Sequence, residues 1–175
     1  MLTEVSFQLG FRKKSLSPEL GRLDPYQHAA EAARSAGKFL LANAIQTIGA
    51  AEQAQGQDRL NRIGIAIQEI TRARPELPAW LIVEITPRAA FWLDELDRHL
   101  EAGDNPIFAQ EILPPFFDAL GMPDAQTRKD RLAQRSVQIL MKGRRHAQAL
   151  AILERLPEAN PRLAAELHPD IRSLG

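Results

Sequence analysis

The stretch PYQHAAEAARSAGKFLLANAIQTIGAAEQAQ, residues 25–55, decides the fold class. Tyr26, Ala30, Ala33, Gly37, Leu40, Ala44, Ile48 and Ala51 recur at three- and four-residue steps, the period of one face of an α-helix. The spacing predicts one long helix over about Pro25 to Gln55. Most of its apolar stripe is Ala or Gly, so a partner helix can approach closely.

Outward from that stretch the same period continues. A second helix is expected over about Asp58 to Arg74, with Leu60, Ile63, Ile67 and Ile70 inward. Pro75 and Pro78 interrupt the chain, and Ala79–Ile85 (AWLIVEI) fits either a buried helix turn or a short strand, with helix preferred because no second strand pattern is near enough to pair with it. Five times a capping residue precedes proline, at Ser17-Pro18, Asp24-Pro25, Thr86-Pro87, Asn105-Pro106 and Asn160-Pro161. Such a pair offers a side-chain acceptor and a pre-set φ at the first helical position, so each is read as a helix start. Gly56, Gly103, Gly121 and Gly143 are read as stops. A third helix then follows Thr86 with Ala89, Leu93, Leu96 and Leu100 inward. A short one from Asn105 is broken by Pro114-Pro115, with a further turn through Phe116, Phe117 and Leu120. Long helices over about Asp124 to Lys142 and Arg144 to Leu156, and a last one after Asn160, complete an all-α reading: a multi-helix bundle or short helical-repeat-like array.

The first residues differ. Val5, Phe7, Leu9 and Phe11 alternate with Ser6, Gln8 and Gly10, a strand-like period of two, before Arg12-Lys13-Lys14. A lone strand cannot satisfy its own backbone, so these four apolar residues are expected to dock on the chain's helices, a second copy or a partner. The division expected is an arm and loop over 1–23 and one helical domain over 24–175, with an internal boundary near 104–123. Glu4 ahead of the apolar residues and the cations after them reverse the order of a secretory signal, and no apolar run is long enough to span a bilayer. A cytoplasmic protein without membrane contact is expected.

Composition narrows the chemistry. The 175 residues carry 22 Lys+Arg, 22 Asp+Glu and no cysteine, which excludes disulfides, thiolate metal sites and a cysteine nucleophile. His28, His99, His146 and His168 never stand at metal-ligand spacing, although Glu95 and His99 are one helical turn apart. Asp94, Glu95, Asp97 and Glu101 crowd one helix as a solvated acidic face. No nucleophile elbow, dinucleotide fingerprint or phosphate loop is present. The reading is therefore non-enzymatic, with no cofactor and no small-molecule substrate.

Charge placement carries the one functional signal. Residues 76–123 hold nine acids against Arg88 and Arg98, and residues 121–150 hold seven bases against Asp124 and Asp130. Arg128, Arg131, Arg135 and Lys142 fall on one narrow helical stripe, which Arg144 and Arg145 extend. Such a stripe suits an acidic protein partner or a phosphate backbone, and it equally suits plain solvated surface or internal pairing with the acidic segment.

Gln138 to Pro161 (QILMKGRRHAQALAILERLPEANP) resembles the second half of a tetratricopeptide repeat. Ala149, Leu153, Leu156 and Pro161 match that motif's small, large, small and proline positions in spacing, and Gly143 falls at its turn. Val137 and Leu140 replace the family's small residue and tyrosine, and Leu156 is bulkier than usual. The resemblance spans about 30 residues, without a second copy upstream near the 34-residue period. It implies helical-repeat packing and a protein-binding habit. The function expected is a helical interaction module or assembly subunit, with a protein partner or a second copy. The alternative is a nucleic-acid-associated subunit that uses the basic helix 125–145.

Overall fold

The computed structural model describes residues 25–172, apart from the side chains of residues 158, 159 and 168–172. All of the regular structure among the described residues is helical. Eight α-helices follow in order: α1 (Pro25–Ser35), α2 (Phe39–Gln53), α3 (Gly56–Arg72), α4 (Ala79–Arg98), α5 (Asn105–Ala119), α6 (Ala125–Lys142), α7 (His146–Ala159) and α8 (Pro161–Arg172). A 3-10 turn, Arg74–Glu76, links α3 to α4. The arm carrying Val5, Phe7, Leu9 and Phe11 lies outside the described residues, as does Ser17-Pro18. The chain forms two compact units, one up to Glu95 and one from Leu96.

In the first unit the expected long helix is two helices. Gly37 has φ +74°, and its N–H and that of Lys38 donate back to the carbonyls of Arg34 and Ala33, closing α1 with a left-handed turn. The apolar stripe runs in phase across the break, so its two halves sit on separate helices that pack together. Tyr26, Ala30 and Ala33 are buried on α1, and Ala44, Ile48 and Ala51 on α2. Leu40, expected inward, is exposed, and Leu41 takes the core position. The approach is close enough that a Cβ on Gly49 would stand 2.7 Å from Cβ of Tyr26. Leu60, Ile63, Ile67 and Ile70 face the core on α3 as their spacing predicts. Gly56, expected as a stop, has φ +56° and opens α3. The Glu76 carboxylate accepts the N–H of Leu41 at 3.0 Å and so caps the first turn of α2 from 35 residues away.

Prolines are weaker breakers here than the sequence rules suggest. Ala79–Ile85 is helical, as expected, but Thr86-Pro87 starts nothing and lies inside α4. Pro87 has no N–H to give to the helix, and beside it the Thr86 hydroxyl donates to the Ile82 carbonyl at 2.7 Å. Burial on both sides of the proline, at Leu81, Ile85, Ala89 and Trp92, keeps the helix continuous. Pro114-Pro115 likewise lie inside one helix, α5, where Leu113, Phe116 and Phe117 are all buried.

The second unit has its own core, in which Ala133, Val137 and Leu140 of α6 meet Ala149, Leu153 and Leu156 of α7 and Leu163 and Leu167 of α8. Asn160 caps α8 as its sequence context predicts, its side-chain oxygen accepting from Leu163 N–H at 3.1 Å. The turn between α6 and α7 differs from the expectation. Gly143 has an ordinary φ of −79°, and the left-handed residue is Arg144, at φ +58°. Its N–H and that of Arg145 donate to Met141 and Leu140, the bonding that Gly37 makes at the end of α1. A left-handed L-residue is strained by roughly 1 kcal/mol relative to glycine. Arg144→Gly is therefore expected to stabilise the protein by about 0.5–1 kcal/mol in thermal unfolding, after the entropy that glycine adds to the unfolded chain. Destabilisation by Arg144→Gly would show that the arginine side chain holds the turn.

Candidate functional site

The basic stripe forms as a geometric feature, but the protein uses half of it internally. Arg128 donates to Asp124 one turn back at 2.8 Å. That hydrogen bond holds the Asp124 carboxyl below its ordinary pKa, with the charges of Arg128 and Arg131 adding to it. A lowered carboxylate pKa contributes stability at neutral pH that is lost as pH falls through the lowered value. Arg135 donates to the carboxylate of Asp97 and, at 3.3 Å, to its backbone carbonyl. Arg145 reaches the Asp104 carboxylate, the Gly103 carbonyl at 2.6 Å and the Gln148 side chain. Lys129, next to the stripe, bonds Asp118 at 2.7 Å. Thus three arginines of the stripe hold carboxylates, and two of those, Asp97 and Asp104, belong to the acidic segment. Arg131, Lys142 and Arg144 stay exposed, without an ion pair among the described residues.

The Arg135–Asp97 pair is 40% and 51% exposed on its two sides, so solvent screens it and it contributes less than about 1 kcal/mol. Arg135→Glu is expected to lower stability by that order, and adding Asp97→Arg should restore it by reversing the pair. A double variant no better than Arg135→Glu alone would show that the two side chains do not interact in solution.

The first unit holds a feature that the sequence reading missed. On α4, Val83 and Phe91 are 70% and 71% exposed, with Pro87 and Ala90 also open to solvent between them. Steps of four place Val83, Pro87 and Phe91 in one row, about 12 Å long at the helical rise. Beside this row lies an open cleft of about 530 Å³ lined by Glu52, Arg59, Glu84, Pro87, Arg88, Phe91 and Trp92. Its charges are organised. Arg88 bonds Glu52 at 2.6 Å, and Arg59 bonds both carboxylate oxygens of Glu95 at 3.0 and 3.1 Å. Arg59 also bonds the Ala51 carbonyl at 2.9 Å. Glu84 is half-buried and has no cationic partner among the described residues. Trp92 is buried at the same cleft, and its indole N–H meets no acceptor among the described residues.

The signal for this surface was present in the run lengths. Ala79–Val83 and Ala89–Leu93 are continuous apolar runs, and a helix that is apolar all round cannot bury every side against one neighbour. Among the described residues no three His, Asp or Glu side chains gather as a metal ion would require. No helix among them is long and apolar enough to cross a membrane. Comparison with family models, with curated proteins and with solved structures returns no match to this chain.

Proposed function

We propose that this chain is a non-enzymatic helical interaction module, a subunit of a larger protein assembly, with α4 as its contact face. The observation that carries the reading is the exposed row Val83, Pro87 and Phe91. Large apolar side chains left open side by side cost solubility, and such a patch rimmed by charge is the usual mark of a protein-binding surface. The helical-repeat resemblance of Gln138–Pro161 points the same way. The test is recovery of a stoichiometric partner from the source cell, or of a homo-oligomer, with the parent chain and with Val83→Ser plus Phe91→Ser. These substitutions lie on the surface, so stability should hold within about 0.5 kcal/mol. Association should fall at least roughly tenfold, as for residues at the centre of a contact. Unchanged association would remove α4 from the contact.

A second reading, a nucleic-acid-associated subunit, is favoured by Arg131, Lys142 and Arg144, which remain open along helix 125–145 and its turn. Titration with a short RNA and DNA duplex decides between the two. Phosphate contacts would give a steep salt dependence that Arg131→Glu plus Lys142→Glu abolishes, whereas the interaction module shows no binding at low salt.

A further inference from the structure

The exposed row on α4 is complementary to itself. Val83 and Phe91 stand about one turn either side of Pro87, all three are open to solvent, and exposed Ala90 adds a small residue on one flank. Glu84 and Arg88 share the other flank, about 60° and about 100° round the helix from Pro87. Their partners differ. Arg88 holds Glu52 at 2.6 Å, whereas half-buried Glu84 has no cation among the described residues. A carboxylate in that position is best covered by a surface that brings a positive charge with it.

The chain itself supplies such a surface under two-fold symmetry. A second α4 laid antiparallel on the first, with Pro87 of each copy on the axis, keeps each flank on its own side and reverses its direction. Along the helix Glu84 lies about 4.5 Å to one side of the axis and Arg88 about 1.5 Å to the other, so the reversal sets Glu84 within about 3 Å in height of the partner's Arg88. Symmetry makes this contact twice. A guanidinium carries five donors, enough to hold Glu52 and a second carboxylate together. On the opposite flank Val83 meets the partner's Ala90, whose small side chain allows a close approach. A parallel pair does not work as well: it sets Glu84 against the partner's Val83 and leaves the carboxylate unmatched.

We propose that the chain forms a two-fold dimer through α4, the two helices antiparallel about Pro87 and Glu84 of each copy paired to Arg88 of the partner subunit. This rests on the reading of α4 as the contact face and names its partner, a second copy.

Sedimentation equilibrium of the full-length chain, over a series of concentrations, reads the mass directly. A dimer is expected. Glu84→Arg and Arg88→Glu should each weaken it roughly tenfold, because each alone puts like charges at both contacts. Mixed together, the two variants should form a mixed dimer near the parent in strength, since both contacts are then Arg–Glu pairs again. Circular dichroism checks the fold of each variant, above all Arg88→Glu, which gives up the Glu52 pair. The axis has its own test, which still decides if Arg88→Glu does not fold. The natural chain has no cysteine, so Pro87→Cys under a mild oxidant should give a disulfide-linked dimer, and Ile65→Cys on the exposed side of α3 should not. A single-chain mass at every concentration, a mixture no stronger than its components, or equal linking at Ile65 would each overturn the proposal. The two readings fail separately. A chain that stays monomeric but loses a different polypeptide on Val83→Ser plus Phe91→Ser removes the second copy alone. A dimer that the same pair of substitutions leaves intact removes α4 from the contact altogether.

Discussion

Trp92→Ala is expected to remove about 3–5 kcal/mol from the stability of the unit up to Glu95, the range for deleting a fully buried indole. Trp92 is 1% exposed and is the bulkiest fully buried side chain among the described residues. The sharper expectation concerns Trp92→Phe. The indole N–H is buried without an acceptor, and an unsatisfied buried donor costs about 1–3 kcal/mol in the parent protein. Phenylalanine gives up part of the packing but relieves that penalty, so its net cost should stay below about 1.5 kcal/mol. Urea unfolding of the two variants, followed by circular dichroism, reads both. A phenylalanine variant as unstable as the alanine one would mean that the N–H has an acceptor in solution.

Gly49→Leu is the second large effect. Any Cβ at this position meets Cβ and Cγ of Tyr26 at 2.7 Å, and those atoms are the root of the tyrosine side chain and cannot swing aside. Either α1 moves off α2 or Tyr26 leaves its buried site, at a cost of about 3 kcal/mol or more. Gly121→Ala provides the contrast. Its Cβ would meet nothing within 4 Å, but φ is +61°, so only backbone strain opposes it and the loss should be near 1 kcal/mol. Thermal melts that place Gly49→Leu level with Gly121→Ala would contradict the close crossing of α1 and α2.

These positions show what was legible. Periodicity alone located α3, because Leu60, Ile63, Ile67 and Ile70 leave only one helical face to bury. It also located α6 to within a residue, and the side-chain cap at Asn160 follows from local chemistry. The same rule joined α1 to α2, since Ala33, Gly37 and Leu40 keep the helical step through a left-handed turn that leaves no trace in the spacing. Proline rules failed at Pro87 and at Pro114-Pro115, where neighbouring side chains bury enough apolar surface to outweigh the lost backbone bonds. The Glu76 cap on Leu41 and the Arg59–Glu95 and Arg88–Glu52 pairs join residues more than 30 positions apart, so local pattern cannot reveal them.

The candidate site was legible only in part. Arg128, Arg131, Arg135 and Lys142 point away from buried Ala133, Val137 and Leu140, as their spacing requires. Internal pairing with the acidic segment was one of the readings the charges allowed, but spacing could neither select it nor match Arg135 to Asp97 and Arg145 to Asp104. That pairing reduces the open cations to Arg131, Lys142 and Arg144 and moves the weight of the functional reading to α4.

The claim that α4 is a protein contact face is tested most directly by placing a photo-crosslinking amino acid at Phe91 in the full-length chain, in the source cell, and another at exposed Phe108 of α5. The account predicts a discrete adduct to another polypeptide from Phe91, reduced when Val83→Ser is added, and none of that mass from Phe108. The same adduct from both positions, or none from Phe91, would contradict it.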